Sequence, residues 1–281
     1  MRKMINGNNM IDKQDSISGI TNRNFISKAK RYLDQKAVVF LEDIEWYFNQ
    51  DAQQSRKQIK KYKNIHRGDS CVVIGNGPSL KTMDLSWLRD KYTFGLNRIY
   101  LMFPELGFST SYYVSVNRLV IEQCADEIAG LAMPKFIGWY WREFLKQSPD
   151  ITYVRYKKDD TLDFSTDPGH RIWEGATVTY VALQLAYYMG FQKVYLIGVD
   201  HHFNTKGEPN TIVVTEDSDQ DHFDPNYFGK GFRWHLPNLD RSEEAYRIAK
   251  DYYEADGREI LDATVNGKLD IFPKVDYRSI E

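Results

Sequence analysis

Cys71-Val-Val-Ile-Gly-Asn-Gly-Pro-Ser-Leu80 decides the fold. Its opening run of apolar residues suits a strand buried on both faces, the kind found in parallel sheets. Gly75 and Gly77 then break the strand, and they let the backbone approach a ligand closely. Pro78 suits an early helix position, where its missing donor costs nothing, and Ser79 adds a hydroxyl. Backbone amides in such a turn, with a helix starting just beyond, can cradle a phosphate. The same spacing also suits a tight structural turn, and spacing alone does not separate the two. The pattern is neither the dinucleotide Gly-x-Gly-x-x-Gly nor the Gly-Lys-Ser/Thr of a P-loop, so NAD and Walker-type ATP binding lose support.

Further along the chain, short apolar strands are expected at 93–96, 111–116, 135–138, 193–199 and 258–262. Helical patterns lie between them at 80–90, 119–131, 176–189 and 242–256, with Gly190 and Gly257 as stops. Strands alternating with helices predict an α/β fold: a doubly wound, Rossmann-like, mostly parallel sheet. Residues 141–174 read as a loop-rich insertion. The polar stretch from 201 to about 240 is too long for an ordinary connection and is expected to be a lid. Upstream, 1–22 read as poorly ordered and about 24–62 as helical. The expected division is therefore 1–66, a tail and helical extension, and 67–281, the catalytic domain with its lid.

The whole chain has 281 residues, 42% hydrophobic and 27% charged, with a formal net charge of −2. Such a balance gives no reason to expect nucleic acid as a partner. Aromatic residues reach 14%, including 19 Tyr and 6 Trp, and these suit either a core or pockets for sugars and bases. Cys71 and Cys124 form no Cys-x-x-Cys pair, so no structural zinc site is expected, and the usage fits a reducing cytosol. No apolar leader or membrane-spanning run is visible, which points to a cytoplasmic protein, free or peripheral at the inner membrane face.

In open α/β sheets, ligands bind beyond the carboxyl ends of the strands. The residues that follow each strand are polar every time: Gly75 to Ser79, then Asn97-Arg98, then Asn117-Arg118, then Gly198-Val199-Asp200-His201-His202. Asn76, Asn97 and Asn117 put an amide after each of three strands, where one group can both donate and accept. Asn also simply favours loops, so the recurrence carries more weight than any single one. Neighbouring residues at a strand end face opposite sides, so Asp200, His201 and His202 seldom bind one ion, and no metal site is expected. His235, just before a late helix, is the candidate general base, with His222 and His170 as rivals in neighbouring loops and His202 as a further one. Arg98, Arg118 and Arg233 are candidates to hold a phosphate or an acceptor.

Val-Ile-Gly-Asn-Gly-Pro-Ser-Leu at the first strand, Asn97 after the second and Tyr195-Leu-Ile-Gly-Val-Asp200 resemble two related groups over about residues 68–265. One is the family 42 bacterial sialyltransferases. The other is the 6-hydroxymethylpterin diphosphokinase-like (MptE-like) family, which includes motility accessory factors. The resemblance to the sialyltransferases implies that Asn76, Asn97 and Asn117 contact a CMP donor. It implies that Gly198, Val199 and Asp200 lie near the cytidine and ribose, and that His235 is the base. Ala176-Thr177 stands where that family has a serine at a helix start, and His202 where it has a tyrosine.

The function expected is a glycosyltransferase that moves a CMP-linked nonulosonic sugar to the hydroxyl of a glycan or small-molecule acceptor, in glycan or surface-polysaccharide synthesis. Its partners are that donor and acceptor, with a homo-oligomer left open, and no cofactor is obligatory. One alternative is an ATP-dependent diphosphokinase, which would need Mg²⁺ held by residues such as Asp200, Asp221 and Asp224. Another is a non-catalytic nucleotide-binding protein.

Overall fold

The computed structural model describes residues 44–156 and 161–280. The expected tail (1–22) and most of the upstream helical stretch (24–43) lie outside the described residues. The chain forms two compact units, Met1–Asn49 and Gln50–Glu281. In the first, residues 44–48 are helical. The second begins before the expected boundary at 67, because the helix α1 (Gln50–Lys61) packs against the edge of the sheet.

That sheet has seven strands: β1 (Ser70–Ile74), β2 (Tyr92–Leu96), β3 (Tyr112–Ser115), β4 (Lys135–Gly138), β5 (Ile151–Val154), β6 (Lys193–Ile197) and β9 (Glu259–Asp262). Their order is β5-β4-β3-β2-β1-β6-β9, and every neighbouring pair is parallel. The strand β5 falls in what reads as a loop-rich insertion. It is short and fully buried, and α1 covers it: the Tyr153 amide donates to Ser55 Oγ at 3.0 Å, and Thr152 Oγ1 donates to Gln58 Oε1 at 2.9 Å.

Two crossovers differ from the sequence reading. After β1, where a helix or helical turn is expected, the chain makes two separate 3-10 turns, Pro78–Thr82 and Ser86–Asp90. A single α2 turn (Phe103–Leu106) follows β2. The helix expected at 119–131 is divided into α3 (Arg118–Gln123) and α4 (Ala125–Ala129), which meet at Cys124. The strong apolar helix is present as α5 (Val178–Met189), capped by Thr177 and closed by Gly190. It is buried almost all round because it lies between the sheet and α6 (Leu239–Ala255). Burial of each large aliphatic side chain there contributes about 1.5–3 kcal/mol.

Between β6 and α6 lies the segment expected to be a lid. It carries an antiparallel hairpin, β7 (Ile212–Val214) with β8 (Arg233–His235). It also has a small core of its own: Phe223, Tyr227, Phe228, Trp234 and Leu236 are buried, and the Phe228 and Trp234 rings stack at 5.2 Å. The C-terminal segment docks beside β9. Asp262 pairs with Lys274 at 2.7 Å, and the Val275 amide donates to the Asp262 carbonyl.

Candidate functional site

Along the sheet, β2 lies on one side of β1 and β6 on the other, so the strand order reverses at β1. Ligand crevices in this class of fold open at such a point, beyond the strand carboxyl ends. A cavity of about 170 Å³ is found there. The turn after β1 supplies Gly75, Asn76 and Gly77, and β2 ends on it with Leu96 and Asn97. The chain after β6 supplies Gly198 through Phe203, and Ala176 to Thr179 bring the start of α5. Asp221, His222, Tyr227 and Phe228 come from the lid, and Asn238, Ser242 and Tyr246 from around α6. Gly75, Asn76, Gly77, Asn97, Thr177, Gly198, Val199, Asp200 and His202 thus meet in one place, as the sequence suggests. Pro78, Ser79, Asn117, Arg98, Arg118, Arg233 and His235 stand outside the lining.

The glycine turn is built differently from a phosphate cradle. The Gly75 amide donates to the Ile197 carbonyl and the Gly77 amide to the Gly198 carbonyl, both at 2.8 Å. Ser79 donates its amide (3.1 Å) and its hydroxyl (2.7 Å) to the Asp200 carboxylate. A side chain at Gly75 would overlap the Gly198 carbonyl, and one at Gly77 would overlap the Asp200 carboxylate. Both glycines are needed so that the β6 turn can lie against the β1 turn. The Gly75 and Gly77 amides are thus spent on carbonyls of the β6 end and the Ser79 donors on Asp200, whose carboxyl is raised by burial against the opposing pull of those Ser79 bonds.

The three asparagines divide. Asn76 donates Nδ2 to the Leu96 carbonyl at 3.1 Å, while its Oδ1 is buried with no hydrogen-bond partner. An orphaned acceptor on a cavity wall calls for a donor. Asn97 has a left-handed backbone (φ 46°), and its Oδ1 accepts from Ser115 Oγ at 3.0 Å. Asn117 is a helix cap: its Oδ1 accepts from the Leu119 and Val120 amides at the start of α3, which satisfies donors the helix itself leaves open.

Two histidine–carboxylate pairs border the cavity. His222 Nδ1 lies 2.8 Å from Asp219 Oδ2, and its ring stacks on Tyr227 at 4.0 Å. Burial alone would raise the Asp219 carboxyl, but the His222 bond and charge and the Asp221 and Phe228 amides hold it below the usual carboxylate value. His201, which the sequence places in the turn after β6 without giving it a role of its own, lies with Nε2 3.1 Å from Glu243 Oε1. A histidine in a loop has no periodic signal, and its carboxylate partner lies far along the chain on α6. His235 sits on β8, where that strand packs against α3, and its pKa is lowered by burial and by the charge of Arg118. The arginines are occupied. Arg118 and Arg233 share Glu122 at 3.3 and 3.0 Å. Arg98 donates to the Asn226 carbonyl at 3.0 Å and to the Tyr227 carbonyl, fastening the lid to the end of β2.

The family model for 6-hydroxymethylpterin diphosphokinase MptE-like proteins matches residues 46–206, more than half of the chain. The chain belongs to the MptE-like family. Its match takes in the cavity turns after β1, β2 and β6 and ends inside the lid. Among solved structures, a MAf glycosyltransferase from Magnetospirillum magneticum AMB-1 is similar at 14% identity and TM-score 0.49, over 82% of this chain and 39% of that one. A thiamin pyrophosphokinase from Geobacillus thermodenitrificans is similar at 16% identity and TM-score 0.25, over 50% of this chain and 48% of its own. This MptE-like chain therefore spans less than half the length of either. No curated protein matches it.

A diphosphokinase in this MptE-like fold would need carboxylates that converge on Mg²⁺. Asp200 is taken by Ser79. Asp221 accepts from the Asn204 and Thr205 amides and the Thr205 hydroxyl. Asp224 accepts from the Asn226 amide and borders a separate groove beside Leu80 and Pro225. Among the described residues, no group of three or more His, Cys, Asp or Glu side chains is placed to hold a metal ion. The three carboxylates do not fit the role. No helix among the described residues is long and apolar enough to cross a membrane.

Proposed function

We propose that this protein is a glycosyltransferase that moves a sugar from a nucleotide-activated donor, a CMP-linked acidic sugar, to an acceptor hydroxyl in glycan or surface-polysaccharide synthesis. The observation that carries this reading is the His222–Asp219 pair on the wall of the switch-point cavity. A carboxylate bound to Nδ1 fixes the proton there and leaves Nε2 as the acceptor, the arrangement a general base requires. In the transfer, Nε2 takes the acceptor hydroxyl proton. The acceptor oxygen bonds to the sugar carbon while the bond from that carbon to the donor phosphate breaks, and its electron pair leaves on the phosphate oxygen. Asn76 Oδ1 accepts from a base amino group or a sugar hydroxyl. Thr177 and the Gly198-Val199-Asp200 turn flank the nucleotide. At about 170 Å³ the half-open cavity is smaller than the about 300–1,000 Å³ of ordinary ligand pockets, so in this scheme the lid lifts to admit the donor. Arg118, Arg233 and His235 form the outer, acceptor-side surface of this scheme.

Thermal-shift measurements with CMP, CDP, ATP and GTP, each with and without Mg²⁺, test the donor. Stabilisation by cytidine nucleotides without metal is expected, and stabilisation by Mg-ATP alone would favour the diphosphokinase instead. Removing the base is expected to lower donor turnover about 10²–10⁴-fold in His222→Ala, with a smaller effect in His235→Ala. The reverse order would assign the base to His235, and no loss in either would remove general-base catalysis from the scheme.

A further inference from the structure

Building on the nucleotide-donor reading, we infer that His201 is the residue that meets the phosphate of a nucleotide bound in the switch-point cavity. A phosphate in a half-closed site needs charged or amide donors. None of the described residues lining the cavity is Lys or Arg. The Gly77 amide is bound to Gly198, and both Ser79 donors are bound to Asp200. The guanidinium of Arg98 is bound to lid carbonyls, and Arg118 and Arg233 are paired with Glu122 away from the lining. Two carboxylates, Asp200 and Asp221, border the space, so an anion there needs a cationic partner. The lining supplies only histidines for this: His201, His202 and His222. His222 is engaged as the base, and His202 is exposed.

His201 is built into place. Its side chain is only 8% exposed. Its backbone is left-handed, with φ 54°, a conformation that persists in a side-chain-bearing residue only where its surroundings fix it. Nε2 lies 3.1 Å from Glu243 Oε1, and Arg247 holds the other Glu243 oxygen at 2.7 Å. With Nε2 committed to Glu243, Nδ1 is the nitrogen left for a ligand. As an imidazolium, His201 donates one N–H to Glu243 and the other to a phosphate oxygen. Tyr246 packs its ring edge-on at 6.4 Å from the imidazole, and its hydroxyl lies 3.4 Å from Thr177 Oγ1 at the start of α5. The charged and titratable groups around His201 are therefore Glu243, Arg247, Tyr246 and the adjoining Asp200 and His202.

Calorimetric titration of the full chain with CMP and with cytidine tests the assignment, comparing wild type with His201→Asn. Asparagine tolerates a left-handed backbone, and Glu243→Gln serves as a second variant that leaves His201 in place. CMP affinity is expected to fall about tenfold or more in His201→Asn, the scale of one charge-assisted hydrogen bond, and less in Glu243→Gln. Cytidine affinity is expected to stay unchanged in both. Equal losses for CMP and cytidine, or no loss for CMP, would overturn the assignment. If wild type binds neither but does bind AMP and adenosine, the CMP-donor reading fails, and the same comparison on that pair decides His201. Binding of neither pair overturns both.

Discussion

A methyl group on Gly77 would overlap the Asp200 carboxylate that Ser79 holds, and one on Gly75 would overlap the Gly198 carbonyl. The obstruction at Gly75 is backbone on both sides and cannot rotate away. Forcing extra volume into such a contact typically costs about 1–3 kcal/mol. Gly75→Ala is therefore expected to lower the free energy of unfolding in a urea titration by that much, seen as a lower midpoint. An unchanged midpoint would mean the β1 and β6 turns can part freely. At this scale the sequence was legible in kind: the two glycines mark a close approach. The partner was not legible, because the object approached is a strand end more than a hundred residues later. Asn117 shows the same limit, since an asparagine after a strand reads equally as ligand contact or as helix cap, and here it caps α3.

Among the elements, those with strong local periodicity were readable: β1, β6 and α5 lie where the apolar runs put them. The strand β5 was missed because Ile151-Thr-Tyr-Val154 lies in a mixed, partly polar stretch, and its burial comes from α1. The stretch between β6 and α6 was set apart by length and polarity, but its internal order was not legible, because its core consists of separate aromatic residues and Leu236 that meet only after the hairpin forms. That order makes the lid a packed unit held to the sheet by a few identifiable bonds. Arg98 gives it two carbonyl contacts, and the Phe223 amide donates to the Asn76 carbonyl at 2.9 Å. Arg98→Ala should release this edge while leaving the lid core intact. Hydrogen exchange is then expected to quicken at residues 219–228 and stay slow in β1 and β6. Equal protection in both proteins would place the hold on the lid elsewhere.

Across the whole molecule, the two ends of the sheet do different work. The carboxyl ends carry the cavity. The amino ends carry a buried histidine with no ligand-facing role: His66 Nε2 lies 2.6 Å from the Tyr112 hydroxyl, and its ring stacks on Phe191 at 4.5 Å and meets Tyr92 at 4.0 Å. Burial lowers the pKa of His66, only partly offset by Asp69. The sign of the consequence follows from which state takes the proton first. Above about pH 6.5 the imidazole is neutral whether the chain is folded or not, and it adds no pH dependence. Below that, the unfolded chain protonates while the folded chain resists, so stability falls until the pH passes the lowered folded value. His235, also lowered by burial and by Arg118, adds to the same loss. Denaturant unfolding should therefore show decreasing stability from about pH 7 to about pH 5. His66→Gln, which keeps a polar group beside Tyr112, is expected to be less stable at neutral pH but to show a shallower fall. A variant as steep as the wild type would place the pH sensitivity in the other titrating groups, and at the cavity end of the sheet it would fall to His235.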